Sequence, residues 1–296
     1  MPELPDLTVY VEHLKTRLVG QPLDAVRLAS PFVLRSVDPS VDEVCGRRVL
    51  GCRRLAKQIV LALENEYFLV VHLMLAGRLK WQKPGSPLPR RNALAAFDFA
   101  AGSLLLTEAS SKKRASLRLV RGAQALAALD PGGLEVLDAD PATFAARLRE
   151  SNHTLKRALT DPHVFAGIGN AYSDEILLRA QLSPFKRPRD MSDDEMERLG
   201  VATRAVLTEW TDRLRAAAGD DFPSKVTAFH PEMAVHGKYR EPCPVCGAPV
   251  QRIVYAENEA NYCARCQTGG RLLADRSLSR LLKENWPKRL EELEGG

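Results

Sequence analysis

Apolar residues recur at Leu7, Val11, Leu14 and Leu18, at spacings of four, three and four, which predicts a helix with one inward stripe over the first twenty positions. Pro5 suits its first turn and Gly20-Gln21-Pro22 ends it. From about 23 to 120 the texture changes to short runs rich in branched and aromatic residues. They are Phe32 to Val37, Arg48 to Arg54, Ile59 to Leu63, Phe68 to Met74, Ala95 to Phe99 and Leu104 to Thr107, parted by breaks such as Glu64-Asn65-Glu66 and Ala101-Gly102. These predict antiparallel hairpins in a sandwich or barrel. Ala123 to Leu129 is expected to be helical, and Asp130-Pro131-Gly132-Gly133 to close the first domain.

Helical patterning returns over Pro141 to Glu150, His153 to Leu159, Asn170 to Ala180 and Ser192 to Ala218. The last of these opens on a capping box, Ser192-Asp-Asp-Glu195. Gly219 to about Arg240 reads as an irregular connector, and Arg271 to Glu294 as a charged, solvated helix or tail.

Composition narrows this picture. With 296 residues, 45% hydrophobic and 27% charged, the chain is long enough for two or three cores and too apolar for wholesale disorder. The longest apolar stretch, Phe68 to Gly77, contains His72 and is too short to span a bilayer. No secretory h-region is visible at the start, so a cytoplasmic protein is expected. Lys and Arg number 42 against 37 Asp and Glu, a net +5 that permits a polyanionic partner.

Of the six cysteines, Cys45 and Cys52 read as small buried apolar residues. The other four form two knuckles, Cys243-Pro-Val-Cys246 and Cys263-Ala-Arg-Cys266. Each knuckle offers two thiolates about a tight turn, which suits tetrahedral Zn²⁺. Disulfides are the alternative, disfavoured in a reducing compartment. Four thiolates leave no open position for a catalytic water, so the metal is structural. The fold class expected is α+β and multidomain: an N-terminal helix with an antiparallel β-sandwich over 1–130, a helical domain over 131–225, a zinc ribbon over 226–272 and a charged tail over 273–296.

Four stretches hold candidate chemistry. In Met1-Pro2-Glu3, loss of the methionine leaves a secondary amine on Pro2 that attacks an aldehyde-like carbon, with the Glu3 carboxyl beside it as acid or base. Taken alone, these residues read first as the decoration of a helix N-terminus. In Leu155-Lys156-Arg157 … Gly167-Ile-Gly-Asn170, a glycine-bearing turn leads into a helix whose N-terminal amides suit a phosphate, though an ordinary helical corner looks the same. Arg53 to Val60, including Lys57, is a basic turn before a strand, and Ser111-Lys112-Lys113-Arg114 is a compact basic loop. Both are compatible with a solvated surface or a cationic groove.

Taken in order, these segments resemble the formamidopyrimidine-DNA glycosylase/endonuclease VIII family. The resemblance rests on Pro2-Glu3-Leu4-Pro5-Asp6, Lys57 before a strand, His72-Leu-Met-Leu-Ala-Gly77-Arg-Leu, Gly167-Ile-Gly-Asn170-Ala-Tyr-Ser-Asp-Glu175, and the four cysteines ending in Cys266-Gln267. It implies an N-terminal helix and β-sandwich, a helix–two-turn–helix domain and a zinc finger acting as a monomer on damaged double-stranded DNA at the bacterial nucleoid. It further implies that Pro2 is a Schiff-base nucleophile at C1′, that Glu3 protonates the deoxyribose and that Lys57 handles a proton or phosphate during β-elimination. Asn170, with Lys156, would hold a DNA phosphate, and Met74 would fill the gap left by an extruded base.

The sequence departs from the family's pattern at several points. The intercalating Asp-Pro-Arg-Arg-Phe-Gly-like segment is replaced by Glu108-Ala-Ser-Ser-Lys-Lys-Arg114, and a Lys-His-Asp-His strand start by Arg91-Asn92-Ala93-Leu94. The long loop that covers 8-oxoguanine is replaced by the short Gly219 to Val226, and a phosphate-binding arginine falls on Asn258, with Arg252 or Arg265 as substitutes. A glycosylase with abasic-site lyase activity is the favoured reading. A weak or silent binder of abasic or distorted DNA, and a non-enzymatic zinc-ribbon adaptor, are the alternatives.

Overall fold

The structure, a computed structural model, describes residues 1–223, 230–255, 258–274 and 287–294. They fall into two compact units, Met1–Pro131 with Trp210–Ala228, and Gly132–Glu209 with Phe229–Gly296.

In the first unit, helix α1 (Leu4–Leu18) buries Leu7, Tyr10, Leu14 and Leu18, the stripe its spacing demands. The strands, numbered in chain order, form two antiparallel sheets. One runs β1 (Ala25–Leu28), β6 (Ala93–Phe99), β7 (Gly102–Glu108), β5 (Gly77–Gln82). The other runs β2 (Val49–Leu55), β3 (Gln58–Leu63), β4 (Tyr67–His72), β8 (Ser116–Arg121). Leu14, Leu61, Leu69, Phe97, Leu106 and Leu119 share one core drawn from α1 and both sheets, and α2 (Ala123–Ala127) follows β8. Strand β7 has a neighbour on each side and is buried throughout, which explains its unbroken apolar run.

Two expectations for this unit fail. Phe32 to Val37 is not a strand: Pro31–Val33 is a 3-10 turn, with Phe32 79% and Val37 96% exposed. Pro31 starts a helical turn well, and with only Val33 fully buried the run lacks the alternating inward face that holds a strand. Cys45 is exposed, whereas Cys52 is buried and its thiol is pushed up to about 12 by that burial.

The second unit contains α3 (Pro141–Arg149), α4 (Leu155–Thr160), α5 (Asn170–Arg179), most of α6 (Asp193–Ala218), the hairpin β9 (Val250–Tyr255) and β10 (Asn258–Cys263), and the short α7 (Ala264–Thr268). The capping box at α6 is formed: Ser192 N–H donates to Glu195 Oε2 at 3.0 Å and Glu195 N–H to Ser192 Oγ at 3.2 Å.

The division differs from the expected sequential one in two respects. The end of α6 groups with the first unit, where Arg215 pairs with Glu12 of α1 at 2.6 Å and the Phe222 ring lies 5.6 Å from Tyr10. The hairpin groups with the helices, because Leu178 of α5 shares a core with Val250, Ile253 and Tyr262. In the expected tail, residues 275–286 lie outside the described residues. Leu272, Leu273 and Leu290 are buried and Arg271 bridges Arg289, so the described ends are packed rather than solvated. Among the described residues no helix is long and apolar enough to cross a membrane.

Candidate functional site

In the first unit, strand register brings three loops to one end of the sandwich. Gln58 pairs with His72 and His72 with Ser116 in one sheet, while Gly77 pairs with Glu108 in the other. The turn Ala56-Lys57, the loop 73–76 and the loop 109–115 therefore all leave the strands at that end. Ala56 takes a left-handed φ of +50°, which closes β2 onto β3 and sets half-buried Lys57 at the turn.

The chain start lies at the same end. Pro2 and Glu3 are buried, Glu3 to 2% exposure, and the Glu3 N–H donates to Asp6 Oδ2 at 2.8 Å. Burial holds the Met1 amine below its ordinary pKa; Arg78 and Lys57 also push it down, while Glu3 and Asp6 oppose them. Asp6 is pushed up to about 7, chiefly by burial, with the Glu3 charge adding to it. Burial, then the charges of Lys57 and Arg118, takes His72 down to about 4, so its ring is neutral at pH 7. Nδ1 of that ring accepts the Met74 N–H at 3.0 Å.

Met74 itself is held in the left-handed region at φ +51°, and the Gly77 N–H donates to Leu73 O at 2.8 Å. A Cβ on Gly77 would lie 2.2 Å from that oxygen, so only glycine closes this loop. Its tip presents half-buried Met74 and exposed Leu75. In the neighbouring loop, buried Glu108 accepts the N–H groups of Arg114 at 2.8 Å and Ala115 at 3.0 Å, and its carbonyl accepts Lys113 Nζ. Lys112, Lys113 and Arg114 are exposed.

In the second unit, Gly169 precedes half-buried Asn170, the first residue of α5. Lys156 differs from its expected role. Its ammonium is buried and donates to Asn170 O and Asp174 Oδ1, each at 2.6 Å, so it braces the start of α5 from inside instead of facing a phosphate. Asp174 Oδ2 also lies 2.8 Å from His236 Nδ1 and accepts from Asn261 Nδ2 at 3.2 Å. Glu175 accepts the backbone N–H groups of Ala234, Val235 and His236 at 2.8–3.0 Å. Sequence reasoning missed this network and the roles of Asp6, His72 and Arg78. The sign available was two adjacent acids inside a helix that buries most of its residues.

The four sulfurs of Cys243, Cys246, Cys263 and Cys266 lie within 4.8 Å of one another, and all four thiols are free. Gly247, at φ +75°, turns the first knuckle, where its N–H donates to Cys243 O. The Cys266 N–H points at Cys263 Sγ in the second. A donor set of four thiolates at this separation fits one structural Zn²⁺. Asn258 opens β10, but its side chain lies outside the described residues. Arg252 stacks 4.7 Å from the Tyr239 ring and lies 3.8 Å from Glu259, and Arg265 reaches Cys246 O at 3.5 Å.

Three family models match the chain: the formamidopyrimidine-DNA glycosylase N-terminal domain over 1–115, its H2TH domain over 130–214, and the zinc finger found in FPG and IleRS over 240–269. With the fold and site above, they define a base-excision DNA glycosylase carrying a zinc finger. A formamidopyrimidine-DNA glycosylase of Thermus thermophilus is 33% identical over 278 residues, covering 91% of this chain and all of its own. Two solved Lactococcus lactis Fpg structures are each 25% identical and cover 90% of this chain. The complex with abasic-site DNA has a TM-score of 0.79 and is covered over 99% of its length; that with oxidized-pyrimidine DNA has a TM-score of 0.80 and is covered completely. The chain belongs to the formamidopyrimidine-DNA glycosylase family.

Proposed function

We propose that this chain excises oxidised bases from duplex DNA and nicks the resulting abasic strand, with the nitrogen of Pro2 as nucleophile. The observation that carries this reading is the buried chain start among Glu3, Asp6, Arg78 and Lys57, where an amine is held below its ordinary pKa. With Met1 removed, the same surroundings act on the proline nitrogen and favour its unprotonated, nucleophilic form. That nitrogen attacks C1′, the bond from C1′ to the base breaks, and the base leaves with a proton. Glu3 protonates the ring oxygen as the base departs, so that the sugar opens and an iminium forms between Pro2 and C1′. Loss of a C2′ proton then expels the 3′ phosphate by β-elimination, with Lys57 near the proton and phosphate in transit.

Asn170 holds a backbone phosphate at the start of α5, and Met74 fills the gap in the base stack. Zinc, held by the four cysteines, would supply rigidity to the β9–β10 hairpin, whose second strand begins at Asn258. Support for the substrate class comes from the two Lactococcus lactis complexes, which hold abasic-site and oxidized-pyrimidine DNA. A DNA substrate supports a site of action at the nucleoid. Borohydride reduction in the presence of abasic-site duplex tests the reading: the parent chain gives a covalent adduct and Pro2→Gly does not. An equal adduct from Pro2→Gly would refute Pro2 as the nucleophile.

A further inference from the structure

The loop 109–114 is the exposed cationic segment at the nucleophile's end of the sandwich whose task the proposed chemistry leaves undefined. Its residues are Ala-Ser-Ser-Lys-Lys-Arg, with no aromatic or bulky apolar side chain to wedge between bases. It is nevertheless held in shape. The buried Glu108 carboxylate ties down the N–H groups of Arg114 and Ala115, the Glu108 carbonyl takes Lys113 Nζ, and the Lys112 N–H donates to Ser110 Oγ at 3.2 Å. A loop closed across its base in this way presents Lys112, and the Lys113 donors that the Glu108 carbonyl does not take, with little ordering left to do on binding.

Its place in the sheet gives the direction of reach. Across the order β2, β3, β4, β8, the Lys57 turn joins β2 to β3, the Met74 loop leaves β4, and the basic loop enters β8. Neighbouring strands are roughly 4.8 Å apart. The three loops are therefore met in that order: the group acting at the damaged sugar, the filler of the vacated stack position, then the cations. Beyond the vacated position lies the other strand of the duplex. Lysine is a point charge that suits phosphate, whereas a planar fork or an inserted ring is what reads a base. The one planar fork of this loop, Arg114, is held by its backbone N–H at the foot of the loop rather than at its tip.

We infer that the Glu108-braced loop grips backbone phosphates of the strand facing the lesion through Lys112 and Lys113, and that the protein consequently acts without regard to the base opposite the damage. This rests on the glycosylase reading above.

The test is binding of the full-length protein to a tetrahydrofuran abasic analogue, placed in duplexes opposite each of the four bases and in the lesion strand alone, over a salt series. Dissociation constants should agree within about threefold across the four opposing bases. Lys112→Gln/Lys113→Gln should weaken duplex binding roughly tenfold and flatten the slope of log affinity against log salt by about two units, since each phosphate contact contributes about 0.9. Lys112→Arg/Lys113→Arg should restore the slope, and the lesion strand alone should show no flattening. A spread above tenfold among opposing bases, an unchanged slope in the glutamine variant, or equal flattening on the single strand would each overturn the inference. Borohydride trapping by the parent protein reports the Pro2 chemistry separately, so failure there leaves these binding readouts interpretable.

Discussion

Asp6 and His72 titrate in opposite senses over one pH window. Asp6 reaches about 7 in the fold, against about 4 unfolded. The folded chain thus holds an extra proton between those values, and stability falls as pH rises through them. His72 drops to about 4 in the fold, against about 6.5 unfolded. The unfolded chain holds the extra proton there, and stability rises with pH over about 4 to 6.5. Each slope is at most about 1.4 kcal/mol per pH unit, so in the parent chain the two largely cancel. Asp6→Asn should unmask a rise in stability from pH 4.5 to 6.5 and His72→Gln a fall, both measured by urea unfolding. Glu3→Gln should slow excision from lesion duplex far more than it slows nicking of a preformed abasic site, where the glycosidic bond is already gone. Equal slowing on both substrates would remove Glu3 from the excision step.

At the scale of elements, Lys156 marks what sequence could not convey. Its motif was legible, but its direction was not, because the carboxylate that turns it inward lies 18 positions further on. Lys156→Met leaves Asp174 buried with one cation fewer and should destabilise the fold by about 3–5 kcal/mol. The salt dependence of DNA binding by the protein that stays folded should be unchanged; a slope flattened by about one unit would return Lys156 to the phosphate. Gly77→Ala should cost about 1–3 kcal/mol and displace Met74, because its methyl meets the Leu73 carbonyl rather than a yielding side chain. Calorimetry checks the first effect, and fluorescence of 2-aminopurine opposite an abasic analogue the second. Strands β5 and β8 were legible in principle, since Leu79, Leu117 and Leu119 alternate inward with Arg78, Lys80 and Arg118. Their cationic outer faces hid the period. Strand β1 turns only Val26 and Leu28, both half-buried, to the core, and four residues are too few to show a period.

Across the whole molecule, the order of parts was written in the motifs, since each is a local cluster whose spacing survives in sequence. Which parts share a core was not, because Leu178 meets the hairpin and Phe222 meets Tyr10 only through the fold. The foundation of the zinc hairpin on α5 has a thermodynamic consequence. Asp174 reaches Asn261 of β10, and Glu175 secures the segment entering the finger. Cys243→Ser or a chelator should therefore speed amide hydrogen exchange in α4 and α5 as well as in the hairpin, and leave the β-sandwich protected. Metal and helix form one linked equilibrium: above the dissociation constant, each tenfold rise in free zinc adds about 1.4 kcal/mol to the free energy of opening α5. The helix whose first residue is proposed to hold the DNA phosphate is in this sense a zinc gauge, its local stability set by the metal activity of its surroundings.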